Sequence, residues 1–207
     1  MSGVLYLASK SPRRRELLGQ LGIAHVVLEV DVPEERAAGE CPLDYVQRVA
    51  RDKAEAGWLR VGQQPLARVL SADTEVVLDD EVFGKPVDAL DAAAMLRRLS
   101  GRRHLAVSAV CLADANGLRE ELCETWVEFD PLSERDIAGY IDSGECFGKA
   151  GAYAIQGRAG AFIKRIEGSY SGVMGLPLFE TARLLCWAES GVGSRESGVG
   201  ACGSGVE

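Results

Sequence analysis

The sequence predicts a protein of the α/β class, on three observations. Short apolar segments typical of strands alternate along the chain with amphipathic segments typical of helices. The composition is 47% hydrophobic and 26% charged, which is enough apolar material for a packed core. The length of 207 residues suits one sizeable domain or two small lobes around a cleft.

The predicted elements follow from the apolar period of each segment. Helices show apolar residues every three to four positions, and strands show short apolar runs or alternation. In chain order, we predict a strand over 4–8, a helix from Pro12 to near Gly22, a strand over 24–30, a helix over 42–58, strands over 69–72 and 75–78, a helix over 88–99, strands over 104–113 and 121–129 joined by the turn 114–117, a helix capped by Ser133 through residue 141, a strand over 161–166, and a helix over 178–189. The folded domain is therefore predicted to span residues 1–189, and the Gly/Ser-rich residues 190–207 are predicted to be a disordered tail.

Positive charge is concentrated where the first strand turns into the first helix. Ser11 suits the N-cap and Pro12 the first helical position, where a missing N–H costs nothing. The basic residues there are Lys10, Arg13, Arg14 and Arg15. Free backbone N–H groups and the helix dipole favour an anion at such a turn. The pattern therefore predicts a polyphosphate site, with a solvated basic helix end held by surface ion pairs as the alternative.

Further candidate residues lie on or beside predicted elements. Lys53 stands near the apolar stripe of helix 42–58, so its side chain points either into a cleft or along the surface toward water. Asp73 ends strand 69–72, a position where α/β proteins place functional groups and where turn or cap aspartates are also common. Thr74 follows it, and Lys85 is presented rigidly between Gly84 and Pro86.

The segment from Gly148 to Gly157 combines glycines with Lys, Tyr and Gln, which suggests backbone wrapped around a ligand. It matches neither the P-loop nor the dinucleotide fingerprint. Gln156 carries both a donor and an acceptor, which suits reading the amide-like edge of a base. The segment is therefore a second candidate for ligand contact.

Bulk composition excludes several classes of protein. The formal net charge of −8 argues against a general nucleic-acid binder, although a local basic pocket remains compatible with it. No apolar run reaches membrane-spanning length, and the N-terminus lacks a signal-peptide pattern. The six cysteines form no C-x-x-C pair, so we expect free thiols in a reducing compartment and a cytoplasmic protein.

Basic residues at a helix start, loop carboxylates and lysines beside glycines are the set that phosphate chemistry uses. Carboxylates such as Glu34 and Asp73 can bind Mg²⁺ or Mn²⁺ through their oxygens. A carboxylate can also accept the proton of an attacking water. Competing chemistries lack their motifs: His25 and His104 have no partner motif, and no G-x-S-x-G occurs.

Several ordered motifs resemble the Maf-like nucleoside-triphosphate pyrophosphatases, over about residues 5–185. They are Ala8-Ser9-Lys10-Ser11-Pro12-Arg13-Arg14, the helix from Tyr45 to Lys53, Ala72-Asp73-Thr74-Glu75-Val76, Gly84-Lys85-Pro86, Leu99-Ser100-Gly101, the segment from Lys149 to Gly157, Gly168-Ser169-Tyr170 and Gly175-Leu176-Pro177-Leu178. The resemblance implies a mixed α/β fold with a long curved sheet flanked by helices and two lobes around a central cleft. It implies a divalent-metal-dependent enzyme that cleaves a nucleoside triphosphate to monophosphate and pyrophosphate, working as a homodimer.

The resemblance also implies roles for individual residues. Asp73 would accept the proton and, with Glu34, contact the metal. Arg13, Thr74 and Gln156 match the branch that prefers dTTP and UTP, and would set substrate choice. The implied phosphate contacts are Ser9, Ser11, Arg14, Lys53 and Lys85. Ala154 departs from the usual glycine in this loop, and its methyl group would narrow the pocket or restrict φ.

Three alternatives stay open beside a dTTP/UTP pyrophosphatase that acts on pyrimidine or modified pyrimidine nucleotides. One is the branch of the same family that prefers 7-methyl-GTP. Another is a nucleotide-binding regulator of septum formation, in which hydrolysis is incidental. The third is a structural or interaction domain, which would not explain the lysines and carboxylates beside glycine turns.

Overall fold

The computed structural model describes residues 3–190, and side chains as far as residue 185. The predicted tail therefore lies outside the described residues, apart from Ser190, which ends the last helix. In chain order the elements are β1 (Leu5–Leu7), α1 (Pro12–Gln20), β2 (Val26–Val27), α2 (Pro42–Val61), β3 (Arg68–Leu78), β4 (Glu81–Phe83), α3 (Ala89–Leu99), β5 (Arg103–Asp114), β6 (Gly117–Phe129), α4 (Glu134–Asp142), short 3-10 turns at Ala150–Ala152 and Arg158–Phe162, β7 (Ile163–Glu167), α5 (Tyr170–Met174) and α6 (Leu178–Ser190).

The strands form one seven-stranded mixed sheet in the order β2-β1-β3-β5-β6-β7, with β4 paired to the far end of β3. β1 runs parallel to β2 and β3, whereas β3, β5, β6 and β7 are antiparallel neighbours. The central strands are long, at 11, 12 and 13 residues for β3, β5 and β6. The predicted class, a mixed α/β fold with a long sheet flanked by helices, is confirmed.

Two strand predictions are corrected by the structure. The strand predicted over 24–30 is paired only at Val26–Val27. The two strands predicted around Asp73-Thr74 are one continuous strand, β3. Ser71 shows how a polar residue is accommodated inside β3, because its hydroxyl donates to the carbonyl of Ala50 in α2, at 2.6 Å.

Local signals at helix starts agree with the sequence prediction. Ser133 accepts from the backbone N–H of Asp136, whose carboxylate accepts from the Ser133 N–H, so the two residues form a capping box at α4. The Asp88 side chain caps α3 in the same position and accepts from Asp91 N–H. Ser11 is the N-cap of α1 and Pro12 its first residue, but the Ser11 hydroxyl makes no capping hydrogen bond.

Three apolar clusters hold the sheet and its helices together. One lies between α2 and the sheet, including Val46, Val49 and Val69. A second lies on the opposite face with α1 and α6, including Leu17, Leu70 and Leu184. The third surrounds the distal end of β3, with α3 and α4, and includes Val76, Leu96, Phe129 and Tyr140. A cleft opens where the third cluster meets the other two, which agrees with the expectation of two lobes around a central cleft.

Among the helices of residues 3–190, none is long and apolar enough to cross a membrane. Cys111, Cys123 and Cys146 are buried free thiols.

Candidate active site

The cleft has a volume of about 780 Å³ and gathers residues from both halves of the chain. Ten residues to which the sequence analysis assigns a role in the site line this cleft. They are Ser9, Ser11, Arg13, Arg14, Glu34, Lys53, Asp73, Thr74, Lys85 and Gln156. The structure therefore brings the predicted set together, while the role of each residue stays a prediction.

Arg14 ties the start of α1 to the rest of the cleft. Its Nε donates to the carbonyl of Gly175, at 2.7 Å, and its terminal nitrogens reach the hydroxyls of Ser9 and Thr74, both at 3.4 Å. Burial lowers the pKa of Arg14, and the negative charge of the nearby Asp73 opposes that shift. The Ser9 hydroxyl also accepts from the backbone N–H of Ser11, at 3.2 Å.

Arg13 lines the cleft without a hydrogen bond or ion pair to any residue in the described range 3–190. Burial lowers its pKa, and the positive charge of Arg14 adds to that effect. Lys149 is a further cation near Arg13. Burial is the largest effect that lowers the pKa of Lys149, and the positive charge of Arg13 is the next largest. Uncompensated cations at a helix N-terminus favour the anion-site interpretation over surface ion pairs. Arg15 is exposed and lies outside the cleft, contrary to the grouping of four basic residues.

Lys53 bridges two carboxylates that line the cleft. Its Nζ lies 2.6 Å from Oε1 of Glu34 and 2.8 Å from Oδ1 of Asp73. The side chain is about 10% exposed and points into the cleft, so the alternative of a lysine directed along the surface is wrong. α2 places Lys53 here because the same helix packs its apolar face on the sheet, one turn of helix from the lysine.

Glu34 is held by two lysines and a backbone contact. Lys85 Nζ donates to Oε2 of Glu34 at 2.9 Å, in addition to the contact from Lys53. The Tyr45 hydroxyl donates to the backbone carbonyl of Glu34, at 3.0 Å, and so fixes the loop. Burial alone would raise the pKa of Glu34, but hydrogen bonds from both lysines outweigh it and lower the pKa to about 2. Glu34 is therefore a carboxylate at every physiological pH.

β3 presents different chemistry on its two faces, because successive side chains of a strand alternate. Asp73 faces α2 and Lys53, and Thr74 faces the opposite side. The Thr74 hydroxyl shares a hydrogen bond of 2.7 Å with the hydroxyl of Ser108 and lies 3.4 Å from Arg14. Asp73 is only 5% exposed, and its Oδ2 is buried without a partner among the described residues.

Glu75 is a cleft residue that the sequence analysis did not single out. It follows Asp73 by two positions, lines the same cleft and is 8% exposed. Its Oε2 is buried and has no partner in the described part of the chain. Burial and the negative charge of Asp73 raise the pKa of Glu75 to about 8. The alternation of side chains along a strand would have placed Glu75 on the same face as Asp73. The sequence analysis predicted a break between two strands at Thr74, so this alternation was not applied.

The glycine-rich segment forms the far wall of the cleft. Gly151 has a φ of 65°, and a Cβ there would lie 2.9 Å from a methyl of Val76, so only glycine fits. The backbone N–H of Ala154 donates to the Tyr140 hydroxyl, at 2.9 Å. Ala154 does not have a positive φ, so its methyl causes no backbone strain; it lines the cleft instead. Gln156 is exposed there, with no hydrogen-bond partner among the described residues.

The available oxygen donors fit a divalent cation that is shared with a ligand. Within residues 3–190, no three His, Cys, Asp or Glu side chains converge to hold a metal by themselves. Mg²⁺, however, is commonly bound by one or two carboxylates plus the phosphates of a substrate. The buried, unpartnered Oδ2 of Asp73 is a hard oxygen donor of the required kind.

Comparison with known proteins places the chain in a family. The model of the family described as Maf-like protein matches residues 4–188. The chain belongs to the Maf family. The match covers every cleft residue named above, so the complete candidate site lies within the Maf region.

Relatives of this Maf family member are similar over most of its length. A protein of Xylella fastidiosa (strain M23), named nucleoside triphosphate pyrophosphatase, is 54% identical and covers 90% of this chain and 99% of its own. A protein of Xanthomonas euvesicatoria pv. vesicatoria, named dTTP/UTP pyrophosphatase, is 56% identical and covers 88% of this chain and 97% of its own. Among solved structures, the Ham1 protein of Staphylococcus aureus has a TM-score of 0.42 at 12% identity, covering 60% of this chain and 71% of that chain.

Proposed function

We propose that this Maf family member is a pyrophosphatase that hydrolyses dTTP and UTP to the monophosphate and pyrophosphate. The observation that carries the proposal is the combination, in one cleft, of a carboxylate oxygen on Asp73 and an Arg13 guanidinium that both lack a partner among the described residues. Relatives about 55% identical that carry the name dTTP/UTP pyrophosphatase support the same substrate class.

The cleft separates the groups that bind charge from the group that accepts a proton. Arg13, Arg14 and the backbone N–H groups that begin α1 bind the triphosphate, because they combine positive charge with free donors. Asp73 accepts the proton of a water that attacks the α-phosphorus, and pyrophosphate leaves as the bond from that phosphorus to the bridging oxygen breaks. Lys53 holds the Asp73 carboxylate in position through Oδ1, and Oδ2 has no partner among the described residues.

We infer that the reaction requires a divalent cation, Mg²⁺ or Mn²⁺, with Asp73 as one ligand. Bound there, such a cation would neutralise phosphate charge and lower the pKa of a coordinated water. Glu34 is the second ligand that the family resemblance implies. Its contacts with Lys53 and Lys85, two proposed phosphate-binding residues, support a position of Glu34 near the phosphates.

Substrate choice is assigned to Arg13, Thr74 and Gln156, the three residues that match the pyrimidine branch. Gln156 supports this proposal best, because its exposed amide lies at the cleft, has no partner among the described residues and suits a hydrogen bond to a base. Thr74 is already bonded to Ser108 and close to Arg14, so its influence on the base passes through that network. The cytoplasmic location and the homodimer remain predictions from the sequence and the resemblance.

The test is pyrophosphate release from a panel of nucleoside triphosphates, measured with Mg²⁺ and with Mn²⁺. We expect turnover of dTTP and UTP well above that of purine nucleotides, and loss of turnover when the metal is chelated. Hydrolysis of 7-methyl-GTP with dTTP and UTP untouched would assign the other branch. Nucleotide binding without release of pyrophosphate from any substrate would favour a binding regulator.

A further inference from the structure

The carboxylate oxygens of the cleft differ in whether a protein cation already holds them. Both oxygens of Glu34 and Oδ1 of Asp73 accept from lysine ammonium groups, at 2.6 to 2.9 Å. Among the described residues that line the cleft, two buried oxygens are left without a partner, Oδ2 of Asp73 and Oε2 of Glu75. The unclaimed donors of the cleft therefore belong to Asp73 and Glu75, and not to Glu34.

These two side chains are placed together by the strand that carries them. Positions two apart on a strand project to the same face, so Asp73 and Glu75 both face the α2 side of the cleft. Mutual repulsion is part of their environment, because Asp73 is the strongest charge that raises the pKa of Glu75, after the effect of burial. Lys85 and Lys53, the two lysines whose charges act on Glu75, are already bonded to Glu34, and Lys53 is bonded to Asp73 as well.

Burying such oxygens without a partner costs stability, because each gives up its hydrogen bonds to water. A side chain with no role in ligand binding would be expected to find a donor or to be apolar at this place in the sheet. Glu75 instead keeps its carboxylate 92% buried at the wall of the cleft, beside the proposed proton acceptor. A divalent cation satisfies both unclaimed oxygens at once, since Mg²⁺ and Mn²⁺ prefer carboxylate ligands.

We propose that Glu75 is a ligand of the divalent cation, so that Asp73 and Glu75 form the protein half of the metal site. Glu34 then acts through Lys53 and Lys85, whose ammonium groups it positions beside the phosphates. This assignment rests on the proposed pyrophosphatase function for the identity of the cation. It places the second metal-binding carboxylate on β3 rather than on the loop before α2.

The test is Mn²⁺ binding measured by electron paramagnetic resonance, first with the metal alone and then with the α,β-methylene analogue of dTTP present. Glu75→Gln removes the charge at constant shape, and Glu75→Val removes every oxygen. We expect both variants to weaken Mn²⁺ binding by at least about tenfold. Glu124→Gln is the matched control, because Glu124 is an exposed strand glutamate of the same sheet outside the cleft. It is expected to bind Mn²⁺ as the wild type does.

Folding is followed in the same samples. Both Glu75 variants are expected to unfold, without metal, at or above the wild-type temperature, because they remove a buried carboxylate that has no partner. Glu34→Gln is the competing variant, and we expect it to weaken Mn²⁺ binding less than Glu75→Gln does. Unchanged binding in the Glu75 variants, no Mn²⁺ binding by the wild type in either condition, or a loss confined to Glu34→Gln would each overturn the assignment.

Mn²⁺ binding and dTTP hydrolysis together distinguish a failure of the ligand assignment from a failure of the proposed function. If the wild type hydrolyses dTTP while Glu75→Gln binds Mn²⁺ normally, the pyrophosphatase stands and the ligand assignment fails. If Glu75→Gln loses Mn²⁺ while the wild type hydrolyses none of the panel, the metal site stands and the proposed function fails.

Discussion

At the scale of single residues, Lys53 is the residue on which the arrangement of the cleft depends. Its ammonium group separates Glu34 from Asp73 and is almost fully buried, whereas Lys85 contacts the same glutamate with a side chain that is 58% exposed. The two lysines therefore form a natural comparison between a buried and an exposed ion pair on one carboxylate.

We predict that Lys53→Met lowers the free energy of unfolding by about 2–4 kcal/mol, because it leaves the buried Asp73 charge without a partner. Lys85→Met is the control, with an expected loss of about 0–1 kcal/mol, since its ion pair is screened by water. Urea unfolding of both variants at neutral pH measures the difference. Equal losses in the two variants would show that Lys53 does not hold Asp73 in the folded protein.

His104 is a buried histidine that does not line the cleft. Its Nε2 lies 2.9 Å from the Tyr153 hydroxyl, and its ring packs edge-on against Phe129. Burial lowers the pKa of His104 from 6.5 to about 4. The unfolded chain therefore binds more protons between these values, so stability is present above pH 6.5 and is lost as the pH falls toward 4.

The expected size of this effect is about 2 kcal/mol of unfolding free energy between about pH 7.5 and about pH 5. The measurement is urea unfolding at both pH values for the wild type and for His104→Gln, which has no titrating ring. The variant is less stable overall because the aromatic packing is lost, but its dependence on pH across this window is expected to shrink by that amount. An unchanged pH dependence would rule out His104 as its source.

The sequence predicted a site residue where that residue belongs to a local motif. All ten predicted site residues line the cleft, because the fold brings together the start of α1, the middle of α2, the middle of β3 and the loops that carry the others. Glu75 was not predicted, because what distinguishes it is the lack of a hydrogen-bond partner for its buried Oε2 among the described residues, and only the structure shows this. The exposed Arg15 was grouped with its neighbours because its orientation on α1 depends on tertiary packing.

At the scale of elements, β3 shows why strand boundaries were harder to predict than strand existence. Asp73 and Thr74 have the polarity of a strand end, but their partners lie on α2, α1 and β5, which are distant in sequence. Local sequence does not reveal those partners. The helices were predicted more closely, because capping residues such as Ser133 and Asp88 act on their immediate neighbours.

α2 positions Lys53 because it packs closely on the sheet at Gly57, one turn further along. A Cβ at Gly57 would lie 2.7 Å from a methyl of Val69 and 3.3 Å from one of Leu28. Gly139 in α4 offers the opposite case, since a Cβ there meets nothing within 4 Å. The two helical glycines therefore separate the effect of close packing from the effect of helix propensity.

We predict that Gly57→Ala lowers the free energy of unfolding by about 1–3 kcal/mol, because overpacking exceeds the gain in helix propensity. Gly139→Ala is expected to raise it by about 0.5–1 kcal/mol. Urea unfolding measures both changes. Since a displaced α2 moves Lys53 away from Asp73, pyrophosphate release by Gly57→Ala is also expected to fall. A stabilised Gly57→Ala would mean that the helix does not approach the sheet this closely.

At the scale of the whole molecule, the cleft joins parts of the chain that fold around different apolar clusters. Asp73 and Lys53 belong to the side packed with α2, whereas Val76, Ala106 and the glycine-rich wall belong to the cluster around α3 and α4. The order β2-β1-β3-β5-β6-β7 produces this arrangement through pairings between distant segments. The alternation of elements predicted the class of fold, but such long-range pairings follow from the complete core rather than from any one segment.

A nucleotide that spans the cleft must therefore stabilise both sides at once. We predict that dTTP raises the melting temperature of Asp73→Asn by about 5–10 °C at a concentration near 100 times its Kd, because binding to the folded state alone adds about 2.7 kcal/mol. This variant lacks the proton acceptor, so its turnover is expected to fall by about 10²–10⁴ and the nucleotide survives the measurement. Asp130→Asn is the control for the substitution, because Asp130 is exposed and lies outside the cleft. It is expected to hydrolyse dTTP like the wild type.

Thymidine monophosphate is expected to shift the melting temperature of Asp73→Asn far less at equal concentration, since it lacks the two phosphates that the cations of α1 bind. Equal shifts from the two nucleotides would show that those cations do not hold the triphosphate, and no shift from either would show that the cleft is not the nucleotide site.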